Sequence, residues 1–230
     1  YNGYGKADPA VSLVYGPNIT DIPTLEPLKN NLALKICSVI NDPVTTTDEL
    51  IPSGETSSYR SNPLRLAEFA LSRKDPMYVA KSKAVRDGDN QDVKTALALL
   101  GMDCKNTTIA SCIFATKPGD GSAREQAASC QRFLGGGANI AREYATKRYR
   151  SNLINWGMLP LVDTKNDYRN GDIVVIANID DVVKQGKTEF DAYLVRDNST
   201  KKINLTMGVL TDSEKQIVLD GCLINYYRAN

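Results

Sequence analysis

Apolar and polar positions in the first half of the chain alternate in two runs, and runs with helical spacing lie between them. Leu32–Ile40 is apolar and partly alternating, which predicts a strand. Asn62–Leu71 has helical spacing with a proline near its first turn, and further helices are predicted over Pro76–Val85 and Gln91–Leu100. Thr107–Ala115 is typical of a buried strand. This half therefore predicts two strands that flank three helices.

The second half continues the same alternation and ends in a series of strands. Its predicted elements are a helix starting near Ser122, a strand at Ala138–Ala141, a helix at Lys147–Trp156, a strand at Met158–Val162, strands from Asp172 through Thr206, and a terminal helix near Ser213–Leu219. Strands that alternate with helices predict an α/β fold. The sequence shows no internal repeat.

The charge balance and the length of the chain limit the classes of function that the protein can have. Lys and Arg number 28 against 27 Asp and Glu, so the formal net charge of +1 gives no electrostatic argument for a nucleic-acid or anionic-membrane partner. A chain of 230 residues is long enough for one well-packed domain. No apolar run approaches the roughly 20 residues that span a bilayer, and the N-terminus lacks a secretory pattern. These features predict a cytoplasmic protein that does not act at membranes.

Two residue types limit the chemistry that this chain can supply. The sequence contains no histidine, so the most usual general acid at neutral pH is absent. The cysteines are five in number, are scattered, and show no close pairs with metal-ligand spacing. They are predicted to be reduced structural thiols rather than metal ligands: Cys37, Cys104, Cys112, Cys130 and Cys222.

The segment Gly119–Glu125 contains the strongest candidate for chemistry. Its glycine turn delivers Ser122 and Arg124 to a predicted helix start, where free amides and a partial positive charge favour anions. A serine in that environment is better placed to ionise and to act as a base or nucleophile. The alternative is purely structural, because Ser122 and Glu125 have the spacing of a capping box.

Four ordered segments resemble the C-terminal swivelling domain of the aconitase family. Gly121–Ala128 resembles the family's Gly-Ser-Ser-Arg-Glu-His-Ala-Ala run, and Thr46–Gly54 and Arg60–Asn62 are similar to its Thr-Thr-Asp-x-Ile-x-Pro-x-Gly and Arg-Ser-Asn elements. Asn152–Leu161 resembles its Asn-Leu-x-x-x-Gly-Leu-Leu-Pro-Leu element. Tyr15–Ile19 resembles the linker that precedes this domain in bacterial members.

The resemblance implies a swivelling β/β/α domain of a hydro-lyase that dehydrates and rehydrates a hydroxy-di- or tricarboxylate. In this family a [4Fe-4S] cluster serves as the Lewis acid. Its cysteines lie in domains that precede the swivelling domain, so no cluster or metal is expected on this chain. The implied partners are those iron-sulfur domains, or a separate large subunit, and a small carboxylate substrate. The isolated domain is expected to be inactive.

Site residues carry over by position in the matched motifs. Ser122 matches the serine that removes a proton from substrate carbon, and Arg124 matches the arginine that helps to form its oxyanion hole. Arg60 matches a carboxylate-binding arginine, and Asp48 matches an aspartate that orients active-site groups. Ala123 stands where a second serine normally donates to a substrate carboxylate.

Further departures favour a divergent hydratase over ordinary aconitase. Gln126 replaces the family's histidine, and the approach to Asn152 is shifted in register. Lys147, Arg148 and Arg150 form a small basic cluster there. A solvated helix face is the simpler interpretation of this cluster, and an anionic substrate channel or an RNA contact is the alternative.

We expect residues 1–30 to form a linker or N-terminal arm and residues 31–230 to form one domain excised from a longer chain. Tyr1–Ala10 has the composition of an extended loop. Two alternatives stay open: a non-catalytic descendant that binds a carboxylate or RNA, and a small subunit like that of isopropylmalate isomerase.

Overall fold

A closed barrel of strands dominates the computed structural model, which describes residues 3–12 and 14–229. The strands are β1 (Asn31–Ile40), β2 (Thr45–Thr46), β3 (Thr107–Ala115), β4 (Pro118–Asp120), β5 (Gly136–Ala141), β6 (Leu159–Val162), β7 (Ile173–Ile176), β8 (Glu189–Arg196) and β9 (Ser199–Met207). The helices are α1 (Thr47–Leu50), α2 (Pro63–Ala67), α3 (Tyr78–Asp87), α4 (Gln91–Leu99), α5 (Arg124–Phe133), α6 (Lys147–Asn155), α7 (Ile179–Lys184), α8 (Asp212–Leu219) and α9 (Leu223–Ala229), with a 3-10 turn at Ser57–Tyr59.

The barrel joins a parallel half to an antiparallel half. Its strand order is β1-β3-β5-β6-β9-β8-β7, closed by pairing of β7 with β1. The neighbours from β1 to β6 are parallel, and the remaining neighbours are antiparallel. Parallel neighbours need long crossovers, which here contain α1–α4, α5 and α6 in turn. The mixed α/β fold that the sequence predicts is confirmed.

Two main apolar clusters hold these layers together. One is built from alternate residues of all seven barrel strands, such as Leu34, Phe114 and Ile140, and it fills the barrel. The other lies between the barrel and the crossover helices and includes Leu66 and Tyr149. The sites described below depend on this second layer, because it sets the positions of α2, α5 and α6.

Most predicted elements are confirmed, and the errors have local causes. β3 has the predicted bounds, and α4 and α6 each end one residue early. The helix predicted through Leu71 ends at Ala67, because Leu71 adopts a left-handed φ of 56° and donates its amide to Leu50 O at 2.9 Å. The helix predicted from Pro76 begins at Tyr78. The sequence reading missed the short elements α1, β2, β4, α7 and α9.

The cysteines are unpaired, as predicted. Cys37, Cys112, Cys130 and Cys222 are buried and Cys104 is half-buried. Burial raises the pKa of the Cys112 and Cys130 thiols. Within the described residues, no helix combines the length and the apolar character that a membrane span requires.

The N-terminal segment contacts the residues before α2 and the end of α8 before β1 begins. Its described residues contain no helix or strand, and the predicted loop residues Tyr1 and Asn2 lie outside the described part. Arg132 anchors this segment: its guanidinium donates to Glu26 O (3.3 Å), Gly221 O (3.1 Å) and Gly136 O (3.1 Å). Burial lowers the pKa of Arg132, and carbonyl oxygens alone compensate its charge. One side chain therefore joins the two ends of the chain to the barrel.

We expect Arg132→Met to lower the free energy of unfolding by about 2–4 kcal/mol, because three carbonyl groups lose a charged donor. Urea denaturation followed by circular dichroism measures this change. Arg169→Met is the matched control, since Arg169 is exposed and its side chain has no partner among the described residues. Equal losses in the two variants would contradict the anchoring role.

A second polar anchor follows β6. The buried carboxylate of Asp163 accepts from the amides of Lys165 (2.8 Å) and Asn166 (3.1 Å), from the Asn166 side chain (2.9 Å) and from the Tyr168 hydroxyl (2.6 Å). Burial alone would raise the pKa of Asp163, but these hydrogen bonds outweigh it and hold the pKa below the ordinary value. The ionised form therefore stabilises the fold.

Because the pKa is lowered on folding, this stabilisation is complete above about pH 4 and is lost as pH falls through the folded-state value. Asp163→Asn is expected to lower the free energy of unfolding by about 1–3 kcal/mol at pH 7. The difference from the wild type should shrink on acidification to pH 2–3. A difference that stays constant over urea titrations from pH 7 to pH 2.5 would contradict this assignment.

Candidate active site

A pair of very short parallel strands organises the candidate site. Thr45 pairs with Pro118 and Thr46 pairs with Asp120. Each strand runs directly into a helix, β2 into α1 and β4 into α5 by way of residues 121–123. Because the carboxyl ends of parallel strands meet at one edge, the starts of α1 and α5 lie side by side. Ala145 also donates its amide to Pro118 O at 3.0 Å, which brings the start of α6 to the same edge.

The glycine turn between β4 and α5 is fixed by close packing. Gly119 has a φ of 96°, and a Cβ atom there would overlap the ring of Tyr149. Gly121 has a φ of 126°, and a Cβ atom there would overlap Oγ1 of Thr47 in the first turn of α1. Neither position accepts a larger side chain without movement. The two contacts therefore set the path of the backbone that leads to Ser122.

Ser122 is exposed and lies two residues before the first residue of α5. The N-cap is Ala123, and no side chain caps this helix. The capping-box interpretation is therefore wrong: Glu125 instead accepts a hydrogen bond from Trp156 Nε1 at 3.0 Å. The Ser122 hydroxyl makes no hydrogen bond with the described residues. The hydroxyl and the first amides of α5 are thus open to a ligand.

Arg124 is half-buried, and its guanidinium has no hydrogen-bond or ion-pair partner among the described residues. Its Nε atom is fully buried with no hydrogen-bond acceptor. Every other half-buried arginine in the described chain has acceptors: Arg132, Arg142, Arg150 and Arg196. A buried donor without a partner costs about 1–3 kcal/mol, more when it is charged. This arrangement is typical of a site that receives an anion.

The sequence predicts that Asp48 lies in the loop after the first predicted strand, but the structure places it in α1. The correction has a simple cause: Thr46 and Glu49 form a reciprocal capping box that starts a helical turn at Thr47. The Asp48 carboxylate forms an ion pair with Arg73, which also binds Glu55. Asp48 is thus already paired on the side next to the candidate site.

Arg60 is exposed and follows the 3-10 turn. It lines a cavity of about 350 Å³ together with Gln126 in the first turn of α5. The structure therefore places Arg60 beside α5 and not on an opposite surface. Ser122 precedes this helix, and Arg124 is its first residue. The Arg60 guanidinium has no partner among the residues described.

Comparisons with known proteins show which proteins the chain resembles. Residues 66–166 match the family model of the aconitase C-terminal domain. The segment that resembles an aconitase C-terminal domain is thus a little under half of the chain. Over 96% of its length it is 26% identical to the mitochondrial homocitrate dehydratase of Saccharomyces cerevisiae, of which it covers 29%. It is 33% identical over 110 residues to a methanogen homoaconitase small subunit from Methanocaldococcus jannaschii, covering 48% of this chain and 56% of that subunit.

A solved structure shows the same fold. The 3-isopropylmalate dehydratase LeuD from Methanocaldococcus jannaschii superposes with a TM-score of 0.53 over 88% of this chain and 95% of that one, at 19% identity. These relatives are aconitase-family hydro-lyases, in which this domain is a C-terminal part or a small subunit. The chain spans less than two thirds of the length of the curated relatives it matches.

The described residues of this chain do not fit an iron-sulfur cluster. Across the described ranges, no three Cys, His, Asp or Glu side chains are grouped so that they could hold a metal ion.

The basic cluster near α6 divides into structural and free residues. Arg150 donates to Val209 O at 3.0 Å, and the buried Tyr149 hydroxyl accepts from Gln131 (2.9 Å) and Asn139 (2.8 Å). Lys147 and Arg148 are exposed on the first turn of α6. Of the three basic residues, only Lys147 and Arg148 lie on a solvated helix face as the sequence predicts.

The sequence reading missed the residues that hold the site together. Arg73 and Lys74 bind Asp48 and Glu49 from a turn about 25 residues away in sequence, and hydrogen bonding by Lys74 lowers the pKa of Glu49. No local pattern signals such pairs. Trp156 lay within a matched motif, but its contact with Glu125 depends on the packing of α5 against α6.

We expect Gly121→Ala to destabilise the domain by about 1–3 kcal/mol, because its new methyl group meets Thr47 and its φ is unfavourable for alanine. Thermal unfolding measures the loss. Gly54→Ala is the matched control, since nothing lies within 4 Å of a Cβ atom there. Adding Thr47→Ser, which lacks only the methyl group, should not restore stability, whereas adding Thr47→Ala should restore part of it. No difference between Gly121→Ala and Gly54→Ala would contradict the packing argument.

Proposed function

We propose that this chain supplies the proton-abstracting half of an aconitase-type active site. The substrate is a hydroxy-di- or tricarboxylate that is dehydrated and rehydrated. The rest of the site belongs to a cluster-bearing part, either the preceding domains of the same protein or a separate large subunit. The small-subunit arrangement has the support of the methanogen relative, which is itself a small subunit. In this proposal residues 31–230 form the swivelling domain and residues 1–30 its arm.

The observation that carries the proposal is the unpartnered guanidinium of Arg124 beside the open hydroxyl of Ser122. An uncompensated, half-buried charge lowers the free energy of unfolding. Charges of this kind are concentrated at functional sites. A carboxylate, or an alkoxide formed during reaction, compensates that charge.

Ser122 acts as the base in this proposal. Its Oγ atom takes the proton from the carbon next to a substrate carboxylate. An unassisted serine hydroxyl is a poor base, so the alkoxide form must be stabilised. The Arg124 guanidinium and the uncapped amides of α5 provide fixed positive partial charge for that oxygen.

Substrate orientation depends on Arg60 and on the absent hydroxyl at position 123. The planar guanidinium of Arg60 suits two-point recognition of a carboxylate. Ala123 removes one donor that the family places at the N-cap of this helix. Loss of a hydrogen bond to a charged group is worth about 1.5–3 kcal/mol, which is enough to change the preferred substrate.

The test uses the complete protein, with its cluster reconstituted anaerobically, and a panel of citrate, isocitrate, methylcitrate, homocitrate and isopropylmalate. We expect Arg124→Met to lower turnover by about 10²–10³-fold. The free energy of unfolding should stay unchanged or rise by about 1 kcal/mol, because the variant removes an uncompensated charge. Arg228→Met, at an exposed position on α9, is the control for both measurements.

Ser122→Ala provides the second arm of this test. It should lower kcat severely and leave KM for the residual activity nearly unchanged, because Ser122 acts on the reacting proton and not on the carboxylates. Full turnover in Ser122→Ala would overturn the assignment of the base. A large loss of stability in Arg124→Met would make Arg124 a structural residue.

A further inference from the structure

The carboxylate of Glu125 lies directly after the uncompensated charge of Arg124 in sequence. The two residues are the first and second of α5, and Ser122 lies three positions before Glu125. The free amides and partial positive charge of a helix start attract a carboxylate. A free Glu125 side chain therefore has two suitable partners within the candidate site. One is the backbone amide of Ser122, as in a capping box, and the other is the Arg124 guanidinium.

This chain contains an example of each of these two contacts. At the start of α1, Glu49 accepts from the amide of Thr46 at 2.7 Å and closes that helix start. At the end of α3, Arg86 donates to both carboxylate oxygens of the next residue, Asp87, at 2.7 and 2.6 Å. Consecutive side chains of a regular helix do not face each other, but this pair shows that they can meet at a helix terminus. Neither contact forms at Glu125 in the described structure.

The indole of Trp156 engages Glu125 instead. Its Nε1 donates to Oε1 of Glu125 at 3.0 Å. The same ring packs edge-on against Phe133, the last residue of α5, with centroids 5.0 Å apart. The indole therefore contacts the side chains of both the last and the second residue of this helix, and it binds the acid that would otherwise be free beside Arg124.

The backbone at the end of α6 fixes the position of this indole. Trp156 is the C-cap of α6, and the next residue, Gly157, has a left-handed φ of 67°. Gly157 donates its amide to Ile154 O at 2.8 Å, and Met158 donates its amide to Leu153 O at 2.9 Å. These two bonds are those of a Schellman motif, which glycine favours. Trp156 is thus held in place by its own helix end as well as by Phe133.

We propose that Trp156 is a positioning residue that keeps the Glu125 carboxylate out of the anion site at the start of α5. The proposal rests on the function proposed above. Because the indole N–H holds Glu125, the Arg124 guanidinium has no protein partner and the first amides of α5 stay uncapped. Both remain available to a substrate carboxylate or alkoxide. Without the indole, Glu125 competes with the substrate for the same positive charge.

Trp156→Phe tests this role in the complete protein with its cluster reconstituted. The variant keeps an aromatic ring beside Phe133 and removes the N–H donor. For an acid that the wild type turns over, KM should rise about tenfold, the equivalent of one hydrogen bond to a charged group. The kcat value should stay nearly unchanged, because saturating substrate displaces the competing carboxylate. Arg124→Met differs, since it removes the charge itself and lowers turnover.

Glu125→Gln separates a competing charge from a loss of packing. Glutamine has a similar shape but no negative charge, so KM in Trp156→Phe/Glu125→Gln should return close to the wild-type value. Phe133→Leu is the matched control, because it loosens the same ring contact and keeps the indole N–H. Any loss in Phe133→Leu should remain when Glu125→Gln is added. An unchanged KM in Trp156→Phe, or a raised KM that Glu125→Gln does not restore, would overturn the proposal.

A readout without turnover distinguishes this proposal from the proposed function. In ¹H–¹⁵N NMR spectra of the full chain, the Arg124 Nε–H signal is identified by its loss in Arg124→Met. Trp156→Phe should shift this signal or the Ser122 amide signal, and Glu125→Gln should reverse the shift. Two unchanged signals would overturn the role of Trp156 and leave the function of Ser122 intact. A shift that depends on Glu125, without wild-type turnover of any acid in the panel, would overturn the proposed function and leave the role of Trp156 intact.

Discussion

The register between β2 and β4 is the constraint on which the candidate site depends. Two residue pairs, Thr45 with Pro118 and Thr46 with Asp120, align the start of one crossover with the start of another. From that alignment the first turns of α1 and α5 become neighbours, and Thr47 comes to lie against Gly121. A shift of one residue would turn every following side chain to the opposite face. The position of Ser122 is therefore set by a few backbone hydrogen bonds outside the main barrel.

The same constraint explains what sequence alone could predict. β3, α4 and α6 are long, and their periodic patterns extend over whole elements, so their bounds were close to those observed. β2 and β4 have two and three residues, which is too short for any periodicity to be recognised. Their pairing joins positions more than 70 residues apart. The candidate residues Ser122, Arg124 and Arg60 came from motifs, but the edge that gathers their helices is a tertiary feature.

A capping-box spacing in the sequence can also be interpreted in two ways, and only tertiary packing decides between them. The spacing of Ser122 and Glu125 suits a capping box, yet Glu125 binds Trp156 from α6. The spacing of Thr46 and Glu49 suits the same motif, and there the box forms. The difference lies in the neighbours: Lys74 reinforces Glu49 in the second case, whereas the indole competes for Glu125 in the first. A motif of this kind predicts a helix start more safely than it predicts which side chain caps it.

The arginines of this chain differ in whether other groups of the protein compensate their charge. Arg132 donates hydrogen bonds to three backbone carbonyl groups, and Arg73 forms ion pairs with two carboxylates. The Nε atoms of Arg124 and Arg132 are both buried without an acceptor, but Arg124 has no acceptor at its other guanidinium nitrogens either among the described residues. Evolution towards stability alone would remove such a charge, since substitution by an apolar residue of similar size is often stabilising. Its presence at an uncapped helix start is consistent with the proposed role, in which an anion compensates the charge.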